Sequence, residues 1–419
     1  MKKLLSTTLT VMLLVSLCLG LTACNSSTSS DNSDSTASLE VWVRNTYYDE
    51  VVAAAANFQE DTGIEVTVVE PSDMSDDLAL ALSSGEEPDI ISMDCVLIPY
   101  YASIGALQDI TEEFNSLDYA DQFSGGLIDL ATYEDSIYAV PFSPEPSVLL
   151  YNKELFAAAG LDPDSPPTSW DELIEYAQAC TTDDCWGYLF TASDAGGMMF
   201  TFGPYLWSAG GDFTSNGGTE SALDSDEVAS ALQLIYDMIY TYEVTPTTIT
   251  SYDWTACEDA FKSQNAAMVV LGIAAATGIV DEIYDFDAGC AVISGPDGET
   301  FSSFSGGDSL TILDSTEYTE EAWMFIDYCL SEEVQVDLLA ATGSIPARLD
   351  MFDNDIFAGN EVYEVLQDAL EVGQAPYSIK YNEMYTPWID AIQYALNQEK
   401  TVEEALSDAK IEIDAILSE

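Results

Sequence analysis

The segment that begins at residue 39 alternates between strand and helix patterns, and this alternation constrains the fold more than any other feature. Residues 39–43 and 64–69 have the composition of strands, and a helical pattern occupies residues 49–60 between them. A second helical pattern at 75–84 leads to a third strand at 88–91. Strands that alternate with helices pair in parallel through crossover connections, so the sequence predicts an α/β fold.

Two later segments have the signature of a helix start, a Ser or Thr followed three residues later by Glu. Ser169 with Glu172 and Thr401 with Glu404 match it, because each side chain can satisfy a free backbone N–H group of the other. Apolar periodicity predicts further helices over 227–240, 320–330 and 333–341. The helical pattern therefore continues through the second half of the chain.

The N-terminal residues have the pattern of an export signal. Lys2 and Lys3 precede an apolar run at 4–21, and Leu-Thr-Ala leads to Cys24. This end resembles the lipobox of bacterial lipoproteins, so we expect residues 1–23 to be a signal peptide and Cys24 to carry the lipid. Two or more acyl chains make such an anchor durable. A secreted protein with a chance cysteine at this position is the alternative.

Residues 24–38 are almost entirely Ser, Thr, Asn and Asp after the cysteine. They offer almost no apolar surface to bury, so we expect a flexible tether. Roughly 380 residues remain beyond it, which is enough for two ordinary domains.

The charge and the composition exclude several classes of function. The chain has a formal net charge of -66, which leaves too few cations to neutralise phosphates, so we expect no nucleic-acid partner. It contains no histidine, which excludes Ser-His-Asp and Cys-His catalysis and imidazole metal sites. The acids are spread along the chain, which favours a solvated acidic coat over a cation-binding device.

The cysteines predict thiol pairing rather than metal binding. An even number of cysteines in an exported body favours disulfides, and six lie beyond Cys24: Cys95, Cys180, Cys185, Cys257, Cys290 and Cys329. Cys180 and Cys185 flank turn residues and could close a small loop, with two free thiols as the alternative. No two of the six have the C-x-x-C spacing of a metal site, so we expect no metal.

A series of short motifs, in a fixed order along the chain, points to one family. They are Pro-Asp-Ile-Ile at 88–91, Gly-Ala-Leu-Gln-Asp-Ile-Thr at 105–111, Tyr-Ala-Val-Pro-Phe at 138–142, Leu-Tyr-Asn-Lys-Glu-Leu at 150–155, Pro-Thr-Ser-Trp-Asp-Glu-Leu at 167–173, Ala-Gly-Gly-Asp at 209–212 and Thr-Gly-Ser-Ile-Pro-Ala-Arg at 342–348. Together they resemble the extracellular solute-binding proteins of ABC importers, in the carbohydrate-binding branch that includes maltose-binding protein.

The resemblance implies a type II periplasmic-binding-protein fold, with two α/β lobes, three crossings between them and a ligand cleft at the hinge. We assign residues 39–143 and 305–329 to the first lobe and residues 148–304 and 335–419 to the second. It also implies a monomeric, lipid-anchored receptor on the outer face of the cytoplasmic membrane. For this branch of the family the expected solute is a mono- or oligosaccharide, which the receptor binds without cofactor or catalysis and delivers to a permease.

The resemblance places candidate ligand contacts at the ends of first-lobe strands. Arg44, Thr46 and Tyr47 follow the first strand, and Arg44 can donate a bidentate fork. Asp94 follows the third strand, where an open sheet presents its carboxyl ends to a crevice. Glu145 lies in the proline-rich first crossing, at a family position that is often an acidic ligand contact.

Second-lobe candidates are mostly aromatic, because sugar rings need flat apolar partners. Phe200, Trp207 and Trp254 are stacking candidates, and Tyr385 matches a family position that stacks on sugar. Gly272 matches a family glycine that a tryptophan usually follows shortly, but Ile-Ala-Ala follows here. That departure weakens the case for a maltodextrin ligand and leaves the sugar open.

Three further residues complete the predicted site. Gly307 would bring the backbone close to the ligand, and Asp308 could accept sugar hydroxyls. Arg348 is the second cationic candidate, with a structural ion pair as its alternative. A cleft that contained both Arg44 and Arg348 would argue against the alternative of a polyamine or other cation receptor. A glycosidase with two carboxylates is a third alternative, but no motif marks a catalytic pair.

Overall fold

The structure is a computed structural model that describes residues 37–418. The predicted signal peptide, the lipid-bearing Cys24 and most of the predicted tether lie outside the described residues. Among residues 37–418, none of the helices combines the length and the apolar composition that a membrane crossing needs.

Fifteen strands are present in the described residues. In chain order they are β1 (Ser38–Trp42), β2 (Glu65–Val69), β3 (Ile90–Asp94), β4 (Thr132–Tyr133), β5 (Ser136–Ile137), β6 (Val140–Pro146), β7 (Val148–Asn152), β8 (Trp186–Leu189), β9 (Thr214–Ser215), β10 (Glu220–Ser221), β11 (Ala266–Leu271), β12 (Ala288–Ala291), β13 (Ile293–Ser294), β14 (Phe301–Ile312) and β15 (Gly373–Gln374).

The same part of the chain forms fifteen α-helices. They are α1 (Tyr48–Thr62), α2 (Met74–Ser84), α3 (Ile98–Ser103), α4 (Thr111–Asn115), α5 (Gly125–Ala131), α6 (Lys153–Ala159), α7 (Trp170–Cys180), α8 (Ala195–Ser208), α9 (Asp226–Tyr240), α10 (Trp254–Lys262), α11 (Ile273–Val280), α12 (Thr319–Cys329), α13 (Glu361–Glu371), α14 (Tyr385–Leu396) and α15 (Val402–Leu417).

In the first sheet, β1 lies between β2 and β3 and pairs in parallel with both. Strand β14 pairs antiparallel with β3 and β6 and so extends the same sheet. The apolar face of β1, which includes Leu39 and Val41, is buried in a core with Phe58 of α1 and Phe325 of α12. The Phe58 and Phe325 rings lie edge to face with centroids 5.2 Å apart.

The second sheet has the strand order β12-β7-β11-β8. Strand β11 is parallel to β8 and antiparallel to β7, and all six of its residues are buried. Helices cover this sheet, so its strands are mostly apolar rather than alternating. Only Ser147 separates β6 of the first sheet from β7 of the second. The predicted α/β architecture with two lobes is therefore confirmed.

Local sequence signals explain where many helices begin and end. The side chains of Asp73, Ser169 and Asp194 accept hydrogen bonds from the backbone N–H groups that open α2, α7 and α8. The predicted capping box at Thr401 is present in both directions with Glu404. Gly63 ends α1 in the left-handed conformation, with φ of 78°, which glycine adopts without steric cost.

The helix predicted at 333–341 is present, but it is not a regular α-helix, since a π-helix covers Glu333–Leu339 and a 3-10 helix follows at Ala340–Thr342. The predicted disulfide is absent. Cys180 and Cys185 are buried free thiols in the structure, not a disulfide. Each thiol instead faces a backbone carbonyl oxygen, that of Leu155 for Cys180 and that of Trp186 for Cys185.

Candidate functional site

Four polar side chains meet where the first-lobe strands approach the second lobe. Arg44 lies two residues beyond the end of β1, and Asp94 is the last residue of β3. Asp308 of β14 is opposite Asp94 on one side and Ser143 of β6 on the other. Glu145 is two residues beyond Ser143 and so lies on the same face of β6. We call Arg44, Asp94, Glu145 and Asp308 the charged wall.

Arg44 is held in place by Asp308. Its Nε donates to Oδ2 of Asp308 over 3.0 Å, and its Nη2 donates to Oδ1. Ser92 Oγ also donates to Oδ2 over 2.9 Å, and the Asp308 side chain has no exposed surface. Asp308 was predicted to accept ligand hydroxyls, but it lies beneath Arg44 with its oxygens already bonded. It positions the guanidinium, 37% of whose side chain remains exposed.

Asp94 and Glu145 are the carboxylates of the charged wall that lie outside the Arg44–Asp308 pair, and Asp94 accepts from the Val96 N–H group over 3.3 Å. Burial raises the pKa of the Glu145 carboxyl, while the Arg44 charge lowers it and the Asp94 charge raises it. Burial also raises the pKa of Asp94, against the lowering effects of Arg44 and of the Val96 N–H group. Among the described residues, Glu145 accepts no hydrogen bond and neither acid has a salt-bridge partner. Both can therefore receive ligand hydroxyls.

A cavity of about 370 Å³ adjoins Glu145. Its other walls come from the first turns of three second-lobe helices, and its lining residues are Gly196, Gly197, Phe200, Trp254, Glu258, Gly272, Ile273, Ala274 and Ala275. Asp194 caps α8 by accepting from the Gly197 N–H group over 2.7 Å, which fixes the glycine turn at the mouth of the cavity.

Two aromatic rings form a corner in this cavity. The Phe200 and Trp254 rings are perpendicular, at 78°, with centroids 5.3 Å apart. A Cβ atom on Gly272 would lie 3.2 Å from Cζ of Phe200 and 3.6 Å from Cη2 of Trp254, so a side chain there would press on both rings. We call Phe200 and Trp254 with 272–275 the apolar wall. The absence of a side chain at Gly272 is thus a feature of this cavity.

Tyr385 also lies beside the cleft, at the start of α14. Its hydroxyl donates to the Tyr381 hydroxyl over 3.1 Å. Burial raises the pKa of both phenol groups most, and the nearby Asp94 charge raises these pKa values further. A Cβ atom on Gly196 would be 3.9 Å from the Tyr385 hydroxyl. Tyr385 therefore connects the glycine turn of α8 with the charged wall.

Trp207 is a core residue, contrary to the stacking role that was predicted. Only 5% of it is exposed, and its Nε1 donates to Asp212 over 3.1 Å. Its ring packs on Phe213 and on Phe304, and Phe304 in turn contacts Phe200. It supports the apolar wall from behind because α8 turns its ring away from the cavity.

Arg348 is a structural residue and does not join the charged wall. Its guanidinium pairs with Asp350, with Nη2 and Oδ2 2.6 Å apart, and lies 3.7 Å above the Tyr119 ring. Both partners are outside the cleft. Arg348 and Asp350 are only two positions apart in the sequence, so this ion pair is local. It is the structural ion pair that the sequence analysis gave as the alternative for Arg348.

The remaining predicted residues have supporting or peripheral positions. Tyr47 is buried, with its ring edge to face with Phe142, and burial with the nearby Glu145 charge raises its pKa to about 12. Thr46 is exposed. Gly307 has φ of 104°, and a Cβ there would collide with the Ser143 carbonyl, so it allows β14 to approach β6.

Sequence reasoning missed several residues of the site. Ser92 gave no signal, because its role depends on Asp308 from a distant strand. Tyr381 could have been found from its i, i+4 spacing to Tyr385. Gly196 and Gly197 stood in a glycine-rich segment that pointed to a close approach.

A second cavity, of about 670 Å³, is larger but contains none of the predicted site residues. Residues of α5 and the β4–β5 hairpin form one side, and 212–218 with 374–377 form the other. It lacks both the charged wall and the paired aromatic rings. We therefore place the functional site in the smaller cavity, where the side chains suited to a polar ligand converge.

The two-lobed α/β fold, with the Glu145 carboxylate beside two aromatic rings in one cavity, is the arrangement of a binding protein for a small polar solute. Residues 43–336 match the family model of the bacterial extracellular solute-binding protein, and the chain belongs to that family.

Three proteins illustrate the similarity. An arabinooligosaccharide-binding protein of Halalkalibacterium halodurans is 26% identical over 371 residues, which are 82% of this chain and 80% of the relative. A Thermotoga lettingae ABC transporter solute-binding protein, bound with alpha-D-tagatose, has a TM-score of 0.77 at 25% identity, covering 91% of this chain and 100% of that one. The sugar-binding protein MalE of Xanthomonas citri has a TM-score of 0.83 at 17% identity, covering 91% and 97%. The predicted periplasmic-binding-protein fold is thus confirmed.

Proposed function

We propose that this protein captures a mono- or oligosaccharide between its lobes and delivers it to the permease of an ABC importer. The observation that carries the proposal is the position of the Glu145 carboxylate beside the perpendicular rings of Phe200 and Trp254. Among the described residues Glu145 has no hydrogen-bond or salt-bridge partner, and the Asp94 charge lies close enough to affect it. Sugars present hydroxyl donors at their edges and apolar C–H faces, and this cleft offers a partner for each. Relatives that bind arabinooligosaccharide and lactose support the same ligand class.

Capture would proceed by closure of the two lobes about the hinge. The boundaries that we propose are 39–143 with 305–329 for the first lobe and 148–304 with 335–419 for the second. In their support, β6 and β14 belong to the first sheet and β7 to the second. A ligand that contacts both lobes binds the closed state more tightly and shifts the population toward it.

We further propose that the receptor is a monomer, held at the outer face of the membrane by a lipid on Cys24. The Leu-Thr-Ala-Cys sequence and the polar residues behind it support this placement. Labelled palmitate fed to expressing cells should enter the wild-type protein and not a Cys24→Ala variant. Equal label in both proteins would refute the anchor.

The solute class is tested by thermal shift of the purified protein. A ligand that binds only the folded state adds RT ln(1 + [L]/Kd) to the free energy of unfolding and so raises the midpoint temperature, which makes micromolar binders detectable at millimolar concentration. The screen contains arabinotriose, lactose, maltotriose, tagatose, amino acids and spermidine. A shift with a saccharide supports the proposal, whereas a shift with spermidine alone would contradict it.

The cation-receptor alternative keeps its place in the screen for a specific reason. Arg44 lies in the cleft but Arg348 does not, and Arg44 is already paired with Asp308. The cleft therefore holds fewer free cations than a site with both arginines would hold. Spermidine lacks the hydroxyl groups and ring faces that the two walls are arranged to meet.

A further inference from the structure

The charge of the cleft is unbalanced, because its arginine is already paired. Arg44 has its Nε and Nη2 directed to Asp308, which is fully buried and also bonded by Ser92. Asp94 and Glu145 remain as carboxylates without a salt-bridge partner among the described residues. The charged wall thus has one positive and three negative groups.

The second lobe does not correct this imbalance. Glu258 is the charged residue that this lobe adds to the cavity lining, and Lys262 pairs with it at 2.7 Å. Asp194 lies at the cavity mouth and is bonded to the Gly197 N–H group. The lining residues of the cavity include no Lys or Arg. A bound anion would therefore find no free cation of the kind that carboxylate recognition requires.

We propose that the cleft selects neutral saccharides and rejects anionic ones, such as uronic acids and sugar phosphates. This inference rests on the proposed function and adds a charge class to it. A neutral hydroxyl can donate to Asp94 or Glu145, whereas a carboxylate or phosphate can only accept. An anionic ligand also brings its negative charge beside the half-buried carboxylates of Asp94 and Glu145. The low dielectric there strengthens the repulsion between them.

Matched ligands test the inference by isothermal titration calorimetry. Arabinotriose, lactose and maltotriose are each compared with the form whose terminal primary alcohol is oxidised to a carboxylate, and with the form aminated at the same carbon. For a parent that binds, we expect the carboxylate form to bind at least about 100-fold more weakly. The amine form should bind at least as tightly as the parent, because the same carboxylates attract its positive charge. Equal binding of parent and carboxylate form overturns the inference while leaving the proposed function intact.

Two other outcomes are also decisive. If the carboxylate and amine forms are weakened alike, the cause is the shape of the pocket, and the charge inference is wrong. If none of the three parents binds, the proposed function fails and the inference falls with it. Raising the salt concentration should reduce the discrimination between parent and carboxylate form, because screening weakens the repulsion.

A double variant and its control test whether Asp94 and Glu145 cause the discrimination between parent and carboxylate form. In Asp94→Asn/Glu145→Gln the ratio of parent to carboxylate affinity should fall at least about tenfold, because both free charges are gone. Binding of the parent weakens as well, so the ratio is the readout. Asp129→Asn is the control, since Asp129 lines the larger, separate cavity and its removal should leave the ratio unchanged. An unchanged ratio in the double variant would overturn the inference.

Discussion

The two walls of the cleft differ in what holds them in place. The charged wall is fixed by hydrogen bonds from neighbouring strands, such as those that Asp308 accepts from Arg44 and Ser92. The apolar wall is fixed by packing, with Phe304 and Trp207 behind Phe200. Directional bonds orient hydroxyls, whereas packed rings provide area for a sugar face. The difference implies that changes in the charged wall alter orientation and stability together, while loss of a partly exposed ring of the apolar wall mainly lowers affinity.

The largest effect should come from Arg44→Met. This variant leaves the Asp308 carboxylate buried with only Ser92 as a partner, and such an unpaired charge is costly. We expect the free energy of unfolding to fall by about 2–3 kcal/mol, a value reduced for the partial exposure of Arg44. Urea denaturation measures it.

The double variant Arg44→Met/Asp308→Asn is the matched control for that prediction. It removes the buried charge together with its partner, so most of the lost stability should return while saccharide binding stays weak. Stability that falls further in the double variant would show that Asp308 does more than hold Arg44.

The next effect concerns the apolar wall. Trp254→Ala should weaken saccharide binding by about 2 kcal/mol, or roughly 30-fold, because a stacking ring is lost. The unfolding midpoint should change little, since Trp254 is only partly buried. Trp186→Ala is the control, as Trp186 is exposed at the start of β8 and does not line the cavity. If both variants bind alike, the apolar wall does not hold the ligand.

A smaller effect distinguishes ring from hydroxyl at Tyr385. Tyr385→Ala should weaken binding by about 1–2 kcal/mol, because a stacking ring is lost. Tyr385→Phe keeps the ring and loses only the hydrogen bond to Tyr381, so it should weaken binding by no more than about 1 kcal/mol. Calorimetry on both variants gives the comparison. Equal losses would assign the contribution to the hydroxyl and place Tyr385 with the charged wall.

The smallest effect is a dependence of stability on pH. The folded pKa of Glu145 is raised, chiefly by burial, so the folded state binds a proton more readily than the unfolded chain does. Stability is therefore lower above the folded pKa, and this loss is relieved as the pH falls toward the unfolded value of about 4. Glu145→Gln should raise the midpoint at pH 7, and the gain should shrink as the pH falls. A gain that grows on acidification would contradict the assignment.

Local signals were sufficient for much of the fold. The strand predicted at 39–43 is Ser38–Trp42, and the helix predicted at 227–240 is Asp226–Tyr240. Both follow from apolar periodicity and from capping residues, which act within a few positions of the chain. The π-helical turn Glu333–Leu339 was not predictable in this way. There Gln335 bonds the Phe142 and Cys329 carbonyl oxygens and the Ala347 N–H group, contacts that local sequence does not reveal.

The candidate site was harder to predict, because residue type does not reveal which partner a side chain meets. Arg44 and Arg348 look equivalent in sequence, yet one pairs with distant Asp308 in the cleft and the other with neighbouring Asp350. Trp207 and Trp254 are likewise both helix residues, but the Trp207 ring is buried in the core and the Trp254 ring lines the cavity. The resemblance marked Arg44, Glu145 and Tyr385, while strand position added Asp94 and residue type added Trp254. Only the structure shows which of these side chains already have protein partners.

The most direct test of the account is a crystal structure of the protein with a neutral saccharide that binds it. We expect the sugar in the cavity between the charged and apolar walls, with hydroxyls donating to Asp94 or Glu145 and a ring face on Trp254. A sugar found instead in the larger cavity beside Asp129 and Tyr377, with the 370 Å³ cavity still empty, would contradict the account.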